Sequence, residues 1–126
     1  MKEMVVTLAE LSDDHREAML MARLRLFASQ SDEERQMGMR MMLDAALDLP
    51  QEKYAKIAST RIKLVLGFDE ADRMKLMKTH VSVVKGLPEE KRLKEMRTVM
   101  SIVTKLSEDK RMAMMALMDE AGMMKS

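Results

Sequence analysis

The 126-residue chain has no cysteine and no tryptophan, and only one tyrosine and two phenylalanines. The missing thiols exclude a disulfide framework, thiolate chemistry and a cysteine-based zinc site. The scarcity of aromatics removes the stacking platforms that hold single-stranded nucleic acid. Charge is not biased: 22 Lys+Arg stand against 21 Asp+Glu, so the bulk charge points to neither nucleic acid nor a membrane. No apolar run approaches the ~18 residues of a membrane span. Residues 1–10 lack a leader-like apolar stretch, so a cytoplasmic location is expected.

The composition is 47% hydrophobic and 34% charged, which suits one folded domain over residues 1–126. An internal repeat organises that domain. Leu11-Ser12-Asp13-Asp14, Gln30-Ser31-Asp32-Glu33, Leu49-Pro50-Gln51-Glu52, Phe68-Asp69-Glu70-Ala71, Leu87-Pro88-Glu89-Glu90 and Leu106-Ser107-Glu108-Asp109 open six units. The units start at 11, 30, 49, 68, 87 and 106, a constant step of 19 residues, with residues 1–10 as a lead-in.

The second position of each unit is Ser, Asp or Pro, residues that suit a helix start. Acids follow, where they favour the positive end of the helix dipole. Position six is Arg16, Arg35, Tyr54, Arg73, Arg92 and Arg111, and an acid three residues earlier permits a weak surface pair in five units. Gly67 and Gly86 stand where a left-handed turn would end a helix. Positions 9, 10, 14, 16 and 17 form an apolar half-face at helical spacing, and 8, 11 and 15 lie opposite. The pattern predicts an all-α fold of six short antiparallel helices, paired as three helical hairpins. A small α-solenoid and a closed helical bundle both satisfy it.

Methionine is abundant, with 18 residues, four of them in unit two and six in unit six. Core packing is its ordinary use. A thioether copper site built from Met37, Met39, Met41 and Met42 has no cysteine to support it, and no metal or other cofactor is expected. Met21, Met37 and Met41 fall on or near the face expected to be wet. Unit six is apolar almost all round, from Met112 through Leu117 to Met123 and Met124. A helix apolar on every side is buried centrally or covered by a partner. The expectation is a non-enzymatic protein-binding module or scaffold, self-associating or with another protein, that uses Met21, Met37, Met41, Leu117, Met123 and Met124.

Charge supplies the alternative. Residues 49–105 carry 13 basic and 7 acidic residues, whereas residues 11–48 carry 5 and 8. Lys56, Lys63, Lys94 and Arg97 are expected to share an outer face, with Lys75 and Lys78 on the other side. That face suits an acidic protein, an anionic ligand or phosphates. No recognition-helix turn or glycine-rich loop supports nucleic acid as the partner. His15 and His80 belong to no catalytic spacing, and no nucleophile-elbow or phosphate-loop motif occurs, so no enzymatic activity is expected.

Overall fold

In the computed structural model, which describes residues 1–123, the chain forms α1 (Lys2–Glu10), α2 (Asp13–Ser29), α3 (Asp32–Ala46), α4 (Gln51–Leu66), α5 (Glu70–Lys85), α6 (Glu89–Val103) and α7 (Glu108–Glu120). Among the described residues there is no strand, and no helix is long and apolar enough to cross a membrane. Helices α2–α7 start at residues 13, 32, 51, 70, 89 and 108.

Local chemistry sets those starts. The Ser12 hydroxyl accepts from the His15 N–H, and Ser31 forms a reciprocal capping box with Glu34. The Asp69 carboxylate accepts from the Asp72 N–H at 2.8 Å. Pro50 and Pro88 precede α4 and α6, where no backbone donor is needed. Each cap contributes about 1 kcal/mol.

Two expectations need correction. The lead-in is itself a helix, so there are seven rather than six. Its buried Val5, Leu8 and Ala9 stand 19 residues before the buried Leu24, Phe27 and Ala28, so α1 continues the same register. Gly67 and Gly86 are right-handed, with φ of −87° and −91°. Each amide closes a tight turn instead, on Leu64 O at 3.0 Å and Val83 O at 3.1 Å, so no left-handed residue is required.

Packing sorts the helices into two layers. Helices α1, α3, α5 and α7 lie side by side in one, α2, α4 and α6 in the other, and the core fills the space between. Leu20, Ile62, Leu76, Val83 and Val103 are at most 2% exposed there. Burying each such side chain stabilises the fold by about 1.5–3 kcal/mol. Gly38 lets α2 and α3 approach closely: a Cβ there would lie 2.8 Å from the Phe27 ring.

Two of the position-six arginines, Arg16 and Arg35, form the expected pair with the exposed acid three residues earlier, but their guanidinium ends are buried. Arg16 donates to Leu8 O at 3.0 Å and Leu11 O at 2.7 Å, and pairs with Asp13 at 2.8 Å. Arg35 donates to Gln30 O at 2.9 Å, to Thr79 Oγ1 on α5 at 2.9 Å, and to Asp32. Each guanidinium therefore satisfies carbonyls at the end of the preceding helix, where its charge also suits the dipole.

Candidate functional site

The methionines expected at the surface divide. Met37 is 63% exposed and Met41 53% exposed, one turn apart on α3. Met21 is half-buried on α2. Leu117 is a core residue of α7 and is not available to a partner, because α7 turns Met114, Leu117 and Met118 inward. Met123 packs against the core and lines a cavity of about 30 Å³ with Met114 and Met118. Met124 lies outside the described residues. Met39 and Met42 are buried, so the four methionines of α3 do not converge. Among the described residues, no three His, Asp or Glu side chains group to hold a metal ion.

The register explains Met41. Its counterparts in the next four units, Thr60, Thr79, Thr98 and Leu117, are all buried. Thr79 receives Arg35 from two helices earlier, and Thr98 receives Gln51 from two helices earlier at 2.9 Å. For Met41 the helix two earlier is α1, which starts at Lys2 and has no such turn to offer. Position twelve lies near the face expected to be wet, yet three of its occupants are buried threonines. Their hydroxyls in fact donate to Lys56, Lys75 and Lys94 carbonyls four residues back.

The four cations of the anionic alternative do not share one face. Lys56 and Lys63 line an open groove of about 660 Å³ between α2, α4, α6 and the start of α7, joined by Lys105 and Lys110. Lys63 is paired with Glu17. Lys94 turns to the α3–α4 joint, where its ammonium donates to Leu47 O at 2.8 Å and to Leu49 O, 5.9 Å from the Tyr54 ring centroid. Lys75 does the same for Ala28 O at 3.3 Å, while Arg97 and Lys78 are exposed and do not line the groove.

A buried polar tetrad lies between α4, α5 and α6, and the sequence reading missed it. Glu95 is wholly buried. Its carboxylate accepts from Tyr54 Oη at 2.6 Å and from Arg61 Nη2 at 3.2 Å, and lies 2.7 Å from His80 Nε2. Burial alone would raise the Glu95 pKa. The charge of Arg61 and the hydrogen bonds from His80 and Tyr54 hold it far below the usual carboxylate range. Burial, then Arg61, pushes His80 down from its ordinary value despite Glu95, so its neutral ring donates Nε2–H to the carboxylate. Burial raises the Tyr54 phenol, which stays protonated.

The signal was present in the register. Position nine is Met19, Gly38, Ile57, Leu76 and Met114 in the other units, so Glu95 is an acid at an apolar position. Tyr54 replaces arginine at position six, and Arg61 and His80 share position thirteen of adjacent units. The tetrad has one ion pair, Arg61 and His80 also line the cavity of about 30 Å³ beside Met114, and the four groups satisfy one another in a low-dielectric setting. Comparison with known protein families, curated proteins and solved structures yields no match.

Proposed function

We propose that this chain is a non-enzymatic protein-binding module, an open α-solenoid rather than a closed bundle, that contacts its partner through the apolar face of α3. The observation that carries the reading is the exposure of Met37 and Met41, at 63% and 53%, one turn apart on a well-capped helix. Unbranched, polarizable side chains repack against imperfectly matched surfaces, which suits a binding face. The two-layer packing supports the open form, because each layer still has two ends.

The test is a photo-crosslinking residue at position 41 of the full chain, in cells that make it. An adduct with a polypeptide is expected, and Met37→Glu is expected to abolish it while helix content stays unchanged. No adduct, or loss of helix in the variant, overturns the reading.

A second reading, capture of an acidic protein or polyanion, rests on the groove. Lys56, Lys105 and Lys110 line it and hold no ion pair among the described residues. It requires polyphosphate binding at low salt that weakens steeply as salt rises; absence of binding at low salt removes it.

A further inference from the structure

Eight of the eleven exposed large apolar side chains among the described residues are methionines. The buried core holds five methionines and is otherwise mostly leucine, valine, isoleucine and alanine. An exposed site is therefore a commoner place for methionine in this chain than the core-filling role usual for the residue. Met37 and Met41 are the most exposed two that stand a single turn apart.

Register shows that packing does not require an apolar side chain at either place. Met37 and Met41 hold positions eight and twelve, which α4, α5 and α6 fill with Lys56 and Thr60, Lys75 and Thr79, and Lys94 and Thr98. Three helices of the same array thus pack with polar side chains there. On α3 itself the neighbouring Met39 and Met42 are the ones in the core. Compared with leucine, an exposed thioether adds a sulfur lone pair within reach of dissolved oxidants. Little else in the chain competes for them: there is no cysteine or tryptophan, and the one tyrosine, Tyr54, is wholly buried.

We infer that Met37 and Met41 form a modification site for hydrogen peroxide, at which both thioethers become sulfoxides while the fold stands, and that this switches the α3 face from apolar to polar. In each conversion a sulfur lone pair attacks one peroxide oxygen. The S–O bond forms as the O–O bond breaks, and the departing hydroxide takes the proton of the transferred oxygen and leaves as water. Sulfur gives up two electrons and the peroxide accepts them. The product is a polar, chiral side chain. It brings to positions eight and twelve of α3 the polarity that lysine and threonine already bring to α4–α6, so the packing is kept. Met39 and Met42 are buried and react only when α3 opens. Exposed methionines elsewhere, such as Met112, are oxidised as well, but they stand on other helices. With no cysteine in the chain, reversal falls to a separate methionine sulfoxide reductase, whose dithiol becomes a disulfide as the oxygen leaves in water.

The site stands on exposure and register; its consequence, release of the bound partner on oxidation, rests on the protein-binding reading. In the first arm of the experiment the full chain is treated with hydrogen peroxide and sampled over time, by fragment-ion mass mapping for sulfoxide and by circular dichroism for helix. Met37 and Met41 are expected to react about tenfold faster or more than Met39 and Met42, with helix content unchanged when the pair is fully converted. Equal rates, or loss of helix as the pair is converted, overturn the site. The second arm moves the photo-crosslinking residue to position 33, in place of Glu33, which is exposed one turn before Met37, so that both methionines remain. The adduct formed in cells is expected to disappear after peroxide and to return once reductases for both sulfoxide epimers have acted. Met37→Leu with Met41→Leu keeps the face apolar but unreactive, and its adduct is expected to survive the same peroxide; its loss overturns the assignment of the switch to this pair. A wild-type adduct that survives full conversion of the pair overturns the switch and leaves the protein-binding reading standing. No adduct before peroxide, from position 33 or from position 41, overturns that reading and the switch with it, while the rates of the first arm still decide the site.

Discussion

Replacing Glu95 by glutamine keeps the shape of the tetrad and removes its one negative charge. At the 3.2 Å separation from Arg61, and an effective dielectric of about 20, the attraction lost is about 5 kcal/mol. The cost of desolvating the pair offsets part of that in the intact protein. After the change, however, a guanidinium with a side chain only 15% exposed has no counter-charge. Breaking one partner of a buried pair costs about 3–5 kcal/mol. The glutamine carbonyl still accepts from Tyr54 or His80, which favours the lower end, about 3 kcal/mol. Domains are stable by about 5–15 kcal/mol, so the variant folds but is visibly weakened. Urea unfolding at pH 7, followed by circular dichroism, reads the loss as a midpoint lower by about 1–3 M for a slope of about 1–3 kcal/mol per M. Arg61→Met combined with Glu95→Gln is expected to recover most of the loss, because no unpaired charge remains. A single variant costing under about 1 kcal/mol, or a double variant no better than the single, refutes the account of the tetrad as a buried ion pair.

Other perturbations follow from the same geometry. Glu95 is held below its ordinary 4.5, so its contribution is full above pH 4.5 and is lost as pH falls through the folded value. His80 is held below its ordinary 6.5, so the unfolded chain takes up that proton first and stability declines as pH drops below 6.5. His80 alone acts between pH 7 and pH 5, so the urea midpoint should fall over that range, with Glu95 adding its loss only below pH 4.5; a flat or rising midpoint from pH 7 to pH 5 contradicts the His80 assignment. Gly38→Ala gains about 1 kcal/mol of helix propensity and incurs about 1–3 kcal/mol of overpacking against Phe27, so net destabilisation is expected in the same assay. A more stable Gly38→Ala would show that the Phe27 ring moves freely. Met37→Glu with Met41→Glu should change the midpoint by no more than about 0.5 kcal/mol in equivalent stability, as surface substitutions do; a larger loss would place those side chains in the core.

Much of the fold was legible because helix starts are local events. Ser12, Ser31 and Asp69 cap within three residues of themselves, and Pro50 and Pro88 mark starts by what they lack, so the 19-residue step could be read without knowing any contact. The lead-in was missed because the repeat was counted from its openings, and α1 has none. Its closing residues Val5, Leu8 and Ala9 carry the register instead. The pairs of Arg16 and Arg35 with the acid three residues earlier were legible, but only packing shows that these arginines are buried against the preceding helix. The threonines at position twelve can be buried because a hydroxyl bonded to the carbonyl four residues back is polar without being wet. Met37 and Met41, expected on or near the wet face, are exposed, whereas Leu117, named because unit six is apolar almost all round, sits at the register position of Met41 and is buried. That position is buried wherever an earlier helix supplies a full neighbouring turn.

The tetrad also bears on why an array of similar helices packs in one register. Six helices starting 19 residues apart offer one another nearly equivalent apolar faces, so a slip by one unit would keep most hydrophobic contacts. It would not keep the polar ones. Glu95 needs a tyrosine at position six and an arginine at position thirteen of the helix it meets, and α4 alone carries both, as Tyr54 and Arg61. Against α3 it would meet Arg35 and Met42. Against α5 it would meet Arg73 and would retain only His80 at position thirteen. Either slip removes the tyrosine donor and leaves the partly buried Arg61 without its partner, and breaking one side of a buried pair costs about 3–5 kcal/mol. A buried pair that adds little net stability compared with apolar packing can therefore still decide which packing is adopted. The residues that break the repeat are thus the ones whose polar partners distinguish one order of its middle helices from another.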